Sequence, residues 1–553
     1  MLQLALFVLL AVVGWVHPAA AADVSKGGTP FAAAVAELPA ASYSRKAELV
    51  RSLAELHQPG TKELLSALLE GNVYSRATDG KVFIVAPVES GYVLTDPLTG
   101  TPGAGIVPEE GLEKVVINNS LRRVLRSALA QFDLSSPDKD VRLAAVKEIL
   151  KSFDEGASAS GATTAMTLLR TQLKTERDAS VKHEIETGLA LAALGPSTTE
   201  NSAPEQRLAA IRSLSSSLNP DVYNRLVALT DPATESDVGV RNAAARTVRH
   251  IDSWRKFYGV VEMLFFGLSL GSVLVLASIG LAITFGVMGV INMAHGELMM
   301  VGAYTAYVMQ LLLPNAIGTS IVLAVPAAFL AAGLVGVLIE RFIVRFLYGR
   351  PLETLLATFG ISLILQQVAR DIFSANNRPV ESPSWMAGSL QINDALSITY
   401  NRLVIVLFTL AVFFVLQLVL KRTRLGLEVR AVAQNRAMAK AMGVRTDWVD
   451  ALTFGLGSGI AGVAGVALSQ LTNVGPNLGQ SYIVDSFMVV VFGGVGNLWG
   501  TLIGGMSLGV VNKVLEPYAG AVLGKIIVLV CLILFIQRRP RGIFPQKGRA
   551  VEA

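Results

Sequence analysis

The chain has 553 residues, 52% of them hydrophobic and only 16% charged, with a formal net charge of +5. Soluble globular domains carry about a quarter charged residues, so a protein that lives wholly in water is excluded. The one cysteine, Cys531, excludes an intramolecular disulfide and any metal site built on several thiolates.

In chain order, an apolar run from Met1 to Val16 is followed by small residues at Ala19 to Ala22. Apolar run and small-residue site together form a signal-peptide pattern for residues 1–22. No Lys or Arg precedes the run, so an uncleaved anchor is the competing reading; either one sends the following segment across a membrane.

Residues 23–255 read as a separate, mainly helical unit. Leu49, Leu53 and Leu56 share one face of a predicted helix. Two short β-branched or aromatic runs, starting at Lys81 and Gly91, predict a small β insert. From about residue 118 the pattern is helical again and repeats. Val141-Arg-Leu-Ala-Ala, Gln206-Arg-Leu-Ala-Ala and Val240-Arg-Asn-Ala-Ala are successive copies, and the segment from Val181 is a degenerate one. Repeats at this spacing predict a short HEAT-like α-solenoid, with an irregular helical bundle as the alternative. His57, His183 and His250 have no carboxylate or cysteine at ligand spacing and are read as surface residues.

Residues 256–545 alternate apolar runs with short basic loops, and 546–553 form a tail. Candidate spans fall at 261–288, 297–314, 318–340, 353–369, 403–420, 449–471, 484–498, 500–514 and 520–537. Those after 484 are short and glycine-broken, so the count is eight or nine. The expected fold is therefore all-α: a polytopic helix bundle preceded by the HEAT-like unit with its β insert. Lys and Arg concentrate at 341–350, at 421–445 and in the tail. By the positive-inside rule these lie in the cytoplasm; nine spans then place residues 23–255 outside it, in agreement with the signal segment, whereas eight would conflict with it unless one segment is re-entrant. The positive charge thus reports orientation, and nucleic acid is not an expected partner. The phrase Gly520-Ala-Val-Leu-Gly-Lys-Ile526 is one residue short of phosphate-loop spacing and lacks the Ser or Thr that holds magnesium. No catalytic, cofactor or metal site is expected, and any work driven by nucleotide must draw its energy from another chain.

Polar residues inside apolar runs mark paths or packing. Asn292, His295, Glu297, Gln366 and Asn497 are the candidates for a translocation path or gate. A structural or gating role is favoured over substrate selection for His295 and Glu297. The loop 421–447 is long and helix-prone. It predicts one amphipathic helix ended by Gly443, with Val429, Val432, Ala433, Met438 and Met442 available for docking.

The segments Gly271 to Glu297, Ala431 to Val444, Asp450 to Gly465, Val491 to Gly505 and Arg539 to Phe544 closely resemble the permeases of branched-chain amino-acid type ABC transporters. That resemblance implies a coupling role for Arg430, Ala433, Gln434, Asn435, Ala439 and Gly443, seated in a groove of an ATPase subunit. It further implies a second homologous permease, two ATPases, a periplasmic binding protein and membrane lipid as partners. The signal segment and long extension, with Thr95 to Gly100, Asp140 to Ala145 and the closing Lys547 to Ala553, resemble the urea-transport branch. The implied function is ATP-driven urea import across the inner membrane, with hydrolysis done by partner subunits. Branched-chain amino acids or short amides in the same architecture, or an ATP-independent channel, are the alternatives.

Overall fold

The computed structural model describes residues 30–544, apart from 57, 89–90, 109–110, 155–158 and 195–202. The signal segment, His57 and the residues after 544 lie outside the described residues. The chain divides into two compact units, Met1–Ile251 and Asp252–Ala553.

The first unit opens with helices α1 (Pro30–Glu37), α2 (Tyr43–Leu56) and α3 (Thr61–Glu70). Leu49 and Leu53 are buried in one apolar cluster with Leu64, Leu68, Val73 and Leu121, whereas Leu56, expected on the same face, is exposed at the end of α2. The β insert is larger than the two runs suggested. It is a five-stranded antiparallel sheet of β1 (Val73–Arg76), β2 (Val82–Val88), β3 (Gly91–Thr95), β4 (Pro102–Val107) and β5 (Leu112–Lys114), in the order β4-β3-β2-β1-β5. Gly60 and Gly71 bracket α3 in the left-handed region, where a glycine carries no Cβ penalty.

Helices α4 (Asn119–Asp133), α5 (Lys139–Asp154), α6 (Ala159–Thr175), α7 (Ala179–Ala193), α8 (Pro204–Ser213) and α9 (Pro220–Ala228) follow. Asn118 caps α4 by accepting from the Leu121 amide at 2.8 Å. Two of the copied arginines do the same work. Arg142 Nη1 donates to the carbonyls of Ser136 and Pro137, and Arg241 Nη1 donates to those of Glu235 and Ser236. Each clamps the loop before its own helix. Arg142 also pairs with Glu176 at 2.8 Å and Arg207 with Glu235 at 3.0 Å, both carboxylates being buried.

The Arg142 guanidinium, helped by amides at Asp178 and Arg177, holds the Glu176 carboxyl down at about 2 against an ordinary 4.5. A carboxyl depressed by folding stabilises fully above its unfolded value, and that stability is lost as pH falls toward the folded value. Protection of the α5 amides, taken relative to their intrinsic exchange rate at each pH, is therefore expected to fall as pH drops from about 4.5 toward 2, and Glu176→Gln should flatten that dependence.

Helix α10 (Val238–Met288) carries the chain into the second unit. There follow α11 (His295–Leu312), α12 (Ile317–Phe342), α13 (Pro351–Phe373), the hairpin β6 (Ser389–Asn393) and β7 (Leu396–Thr399), and α14 (Tyr400–Arg422). Next come α15 (Arg424–Gln434), α16 (Arg436–Ala441), α17 (Thr446–Ser469), α18 (Leu478–Gly493) and α19 (Leu498–Arg538). Among the described residues, six helices are long and apolar enough to cross a membrane: α10, α12, α13, α14, α17 and α19. Each predicted span falls on a helix, but α11 is not apolar enough for that set and α18 has only 16 residues. The last two predicted spans share α19. Its helix is interrupted at Gly520, with φ 77° and ψ 164°, and it folds back so that Gly524 lies against Leu515. The phrase that approached a phosphate loop is thus the turn of an apolar hairpin.

The most apolar windows of α10 and α17 are 89% buried, against 17–33% for the other long apolar helices. These two form the centre of the bundle, and glycines let the backbones touch there. A Cβ at Gly465 would sit 1.9 Å from the Met299 carbonyl, and one at Gly302 would sit 2.0 Å from that of Gly462. At Gly280 it would meet the Gly457 carbonyl at 2.2 Å.

Candidate functional site

Two places in the second unit gather the residues with polar chemistry. The first lies where α10 gives way to α11. Gly289 takes φ 69°, which ends α10 and leaves an irregular link. Thr358 of α13 holds that link, accepting from the Met293 amide at 3.1 Å and donating to the Ile291 carbonyl at 3.4 Å. Asn292 stays inside the link, its Oδ1 accepting from the Ala294 amide at 3.0 Å.

His295 and Glu297 begin α11 and are both buried. They face different neighbours. His295 Nε2 lies 2.8 Å from the Ala277 carbonyl of α10. A carbonyl only accepts, so Nε2 carries the proton and Nδ1 is left as a bare acceptor. Glu297 Oε1 instead accepts from Ser362 Oγ at 3.0 Å and Gln366 Nε2 at 2.8 Å on α13. The structure therefore brings Glu297 and Gln366 together, keeps His295 one helix away, and uses Asn292 as a local turn. Because His295 and Glu297 are each spent on another helix, this polar knot ties α10, α11 and α13 at the point where the backbone is irregular. Among the described residues no three His, Cys, Asp or Glu side chains gather as a metal site.

Asn497 is elsewhere. It caps α19, accepting from the amides of Trp499 and Gly500 at 3.1 and 3.2 Å, and donates to the Phe544 carbonyl at 3.2 Å. With Arg430 and Ala433 it lines a cavity of about 520 Å³ between α10, α14, α15 and the start of α19.

The second place is the basic loop. It is two helices, not one. Asn435 breaks it with extended backbone (φ −154°, ψ 101°), then caps α16 by accepting from the Met438 amide at 2.9 Å. A short side chain that competes for backbone amides favours caps over helix interiors, which is why the single helix expected over 421–443 divides here. Gly443 does end the second helix, at φ 88°. Val429, Val432 and Ala439 are buried, so the two valines hold the loop to its own bundle and are not available to a partner. Leu427, Met438 and Met442 are exposed at 62%, 60% and 79%, while Gln434 and Asn435 are also exposed. Arg430 donates back to the Leu420 carbonyl of α14.

Sequence reasoning missed the strongest tie. Arg436 makes a two-pronged ion pair with Asp450 in the first turns of α17, with Nη1 to Oδ1 at 3.0 Å. Its guanidinium also lies 4.0 Å from the Tyr348 ring centroid. Asp450 is buried, so the exposed helix α16 is bolted to the most central helix of the bundle. The only sequence signal was an acidic residue at the start of a span, with nothing to choose its partner.

Residues 263–536 match the family model described as branched-chain amino acid transport system / permease component. The high-affinity branched-chain amino acid transport permease protein LivH of Salmonella typhimurium is 33% identical over 300 residues, which is 52% of this chain and 96% of LivH. The chain belongs to this permease family. BraD of Pseudomonas aeruginosa, named for the same high-affinity transport, is 32% identical over 298 residues, again 52% of this chain and 96% of BraD. A more distant match is the ribose import permease protein RbsC of Haemophilus influenzae, 30% identical over 112 residues that cover 19% of this chain and 35% of RbsC. No solved structure matches the chain. The permease is therefore a multi-pass membrane protein and a component of a transporter.

Proposed function

We propose that this permease forms half of the translocation path of an ATP-driven urea importer of the inner membrane. A homologous permease supplies the other half, two ATPases drive the cycle, and a periplasmic binding protein delivers substrate. The observation that carries the mechanism is α16. It presents Met438 and Met442 outward while Arg436 ties it to Asp450 at the base of the central helix. A push on α16 is thereby passed to α17, whose glycines pack backbone to backbone against α11 and α12. Arg430, Ala433, Gln434, Asn435, Ala439 and Gly443 all lie on this two-helix knob or at its end. Of these, Gln434 and Asn435 face outward and Ala439 anchors the knob.

The knot of Asn292, His295, Glu297 and Gln366 acts as a hinge support or gate at the break between α10 and α11, while Asn497 fixes the start of α19. All nine apolar segments cross or dip into the bilayer in this reading, with the hairpin at Gly520 on the outer side and residues 30–251 in the periplasm as a HEAT-like array. The matching arginine clamps at Arg142 and Arg241 support the repeat.

Urea rests on the resemblance of the whole chain, extension included, to the urea-transport branch. The second reading is branched-chain amino-acid import, favoured by the names of LivH and BraD. Uptake of labelled urea and labelled leucine by membranes carrying the assembled transporter separates the two. Urea import without leucine import is expected.

A further inference from the structure

A second cavity, of about 470 Å³, opens where the loop 472–477 meets α10, the start of α18 and the hairpin turn of α19. Nothing in the coupling argument uses it. Its lining includes four side-chain amides: Asn377, Asn473, Asn477 and Asn512. Two carboxylates also line it, Asp485 and Glu516, and both are already neutralised. Lys525 Nζ lies 2.9 Å from Asp485 Oδ2, and Lys513 Nζ lies 2.5 Å from Glu516 Oε2. The charged residues of the lining are Asp485, Glu516 and Lys525, and each carboxylate has a lysine beside it. A charged ligand entering it would compete with these lysine–carboxylate pairs for its partner.

What remains for a ligand is hydrogen bonding without charge. An amide presents both two donors and an acceptor, so a wall of asparagines suits a solute rich in N–H groups with a carbonyl among them. Asn512 is not locked in place on its acceptor side, since its Oδ1 is shielded from solvent and takes no hydrogen bond. A shielded acceptor left unpaired is costly, and a small turn of this amide toward an N–H donor relieves that cost. The walls are also held together: Arg378 and Val474 exchange backbone hydrogen bonds at 2.7 and 2.9 Å, and Arg370 donates to Asn477 at 2.9 Å.

We propose that this cavity is a binding site for small neutral amides, urea among them. The inference deepens the urea reading and rests on it for the identity of the physiological ligand, but its own claim concerns binding at this cavity.

The test uses the assembled transporter in lipid nanodiscs with Cys531→Ser and Ser481→Cys, which puts one thiol at an exposed position on the cavity wall. The rate of modification by N-ethylmaleimide is measured against added urea, acetamide and leucine. Urea and acetamide are expected to slow it about tenfold at ten times their dissociation constants, by simple occupancy, and leucine is expected to leave it unchanged. Asn512→Leu should raise the half-protecting concentration roughly fivefold, the worth of one hydrogen bond. No protection by either amide, or equal protection by leucine, overturns the proposal. Protection by amides in a transporter that imports no urea overturns urea import alone and leaves the site standing.

Discussion

Gly465→Val is expected to abolish accumulation of the folded protein. A Cβ at residue 465 would stand 1.9 Å from the Met299 carbonyl oxygen and 2.7 Å from the Ala303 amide nitrogen, both backbone atoms of α11. Overpacking a core by a methylene or two costs about 1–3 kcal/mol when side chains can shift. Here no side chain can give way, so the helices themselves must separate. The same crossing is closed from the other side by Gly302 against Gly462. Separation there removes the close van der Waals packing that holds helices together in lipid, where the hydrophobic effect no longer helps. Gly360 is the control, since a Cβ there would meet nothing within 4 Å. Gly360→Ala should accumulate and resist heating like the unmodified protein, while Gly465→Val should be degraded or aggregate in detergent. Equal yields and equal melting of the two variants by size-exclusion chromatography after heating would show that the α11–α17 contact is not as close as described.

Arg436→Met is expected to separate ATP hydrolysis from transport. Asp450 is 3% exposed, so losing its cation leaves a buried charge alone, a change that costs about 3–5 kcal/mol when both partners are enclosed. The Arg436 side chain is 30% exposed, which places this pair near the lower end of that range. Replacing both members, Arg436→Met with Asp450→Leu, removes the stranded charge and should recover most of the stability. It does not restore the bolt between α16 and α17. The double variant should therefore assemble and hydrolyse ATP, yet carry substrate about tenfold more slowly, within the usual range of a lost coupling energy. Uptake that recovers together with stability would make the ion pair a structural tie without a part in transmission.

These two expectations differ in how much of their basis could be read from residues alone. The glycines of α17 at 455, 457, 459, 462 and 465 announce close packing by their spacing in an apolar run. Which backbone each one meets does not follow, because helix pairing in lipid is decided by many weak contacts. The apolar segments were legible for a simple reason: in a bilayer each backbone polar group must be satisfied within its own helix, so long apolar runs have few alternatives. The hairpin at Gly520 was legible as two short spans, 500–514 and 520–537, with Pro517 and Gly520 as helix breakers where they meet. The β insert was half legible. Val82–Val88 and Gly91–Thr95 show β-branched runs, but Pro102–Val107 holds two glycines and a proline and forms a strand only because β3 lies beside it.

The polar contacts were the least legible. Gln366 donates to Glu297 across 69 positions of sequence, and Arg436 reaches Asp450 across a change of helix. Both candidates Glu297 and Gln366 were found by their cost inside an apolar run, whereas Ser362 and Thr358 were not, since a hydroxyl in a helix can satisfy itself on the preceding turn. The inward turn of Val429 and Val432 was misread for a related reason. An amphipathic face says that something covers it, and the sequence does not say whether that is the same chain or another.

The central claim is that urea crosses here only when a partner's ATP hydrolysis moves the α15–α16 knob. The direct measurement is labelled-urea uptake into proteoliposomes holding this permease alone, or the assembled transporter with binding protein, each with and without ATP. The account predicts uptake only for the assembled transporter with ATP, undiminished by excess leucine. Urea entry through the permease alone, or uptake by the assembly that needs no ATP, would contradict it.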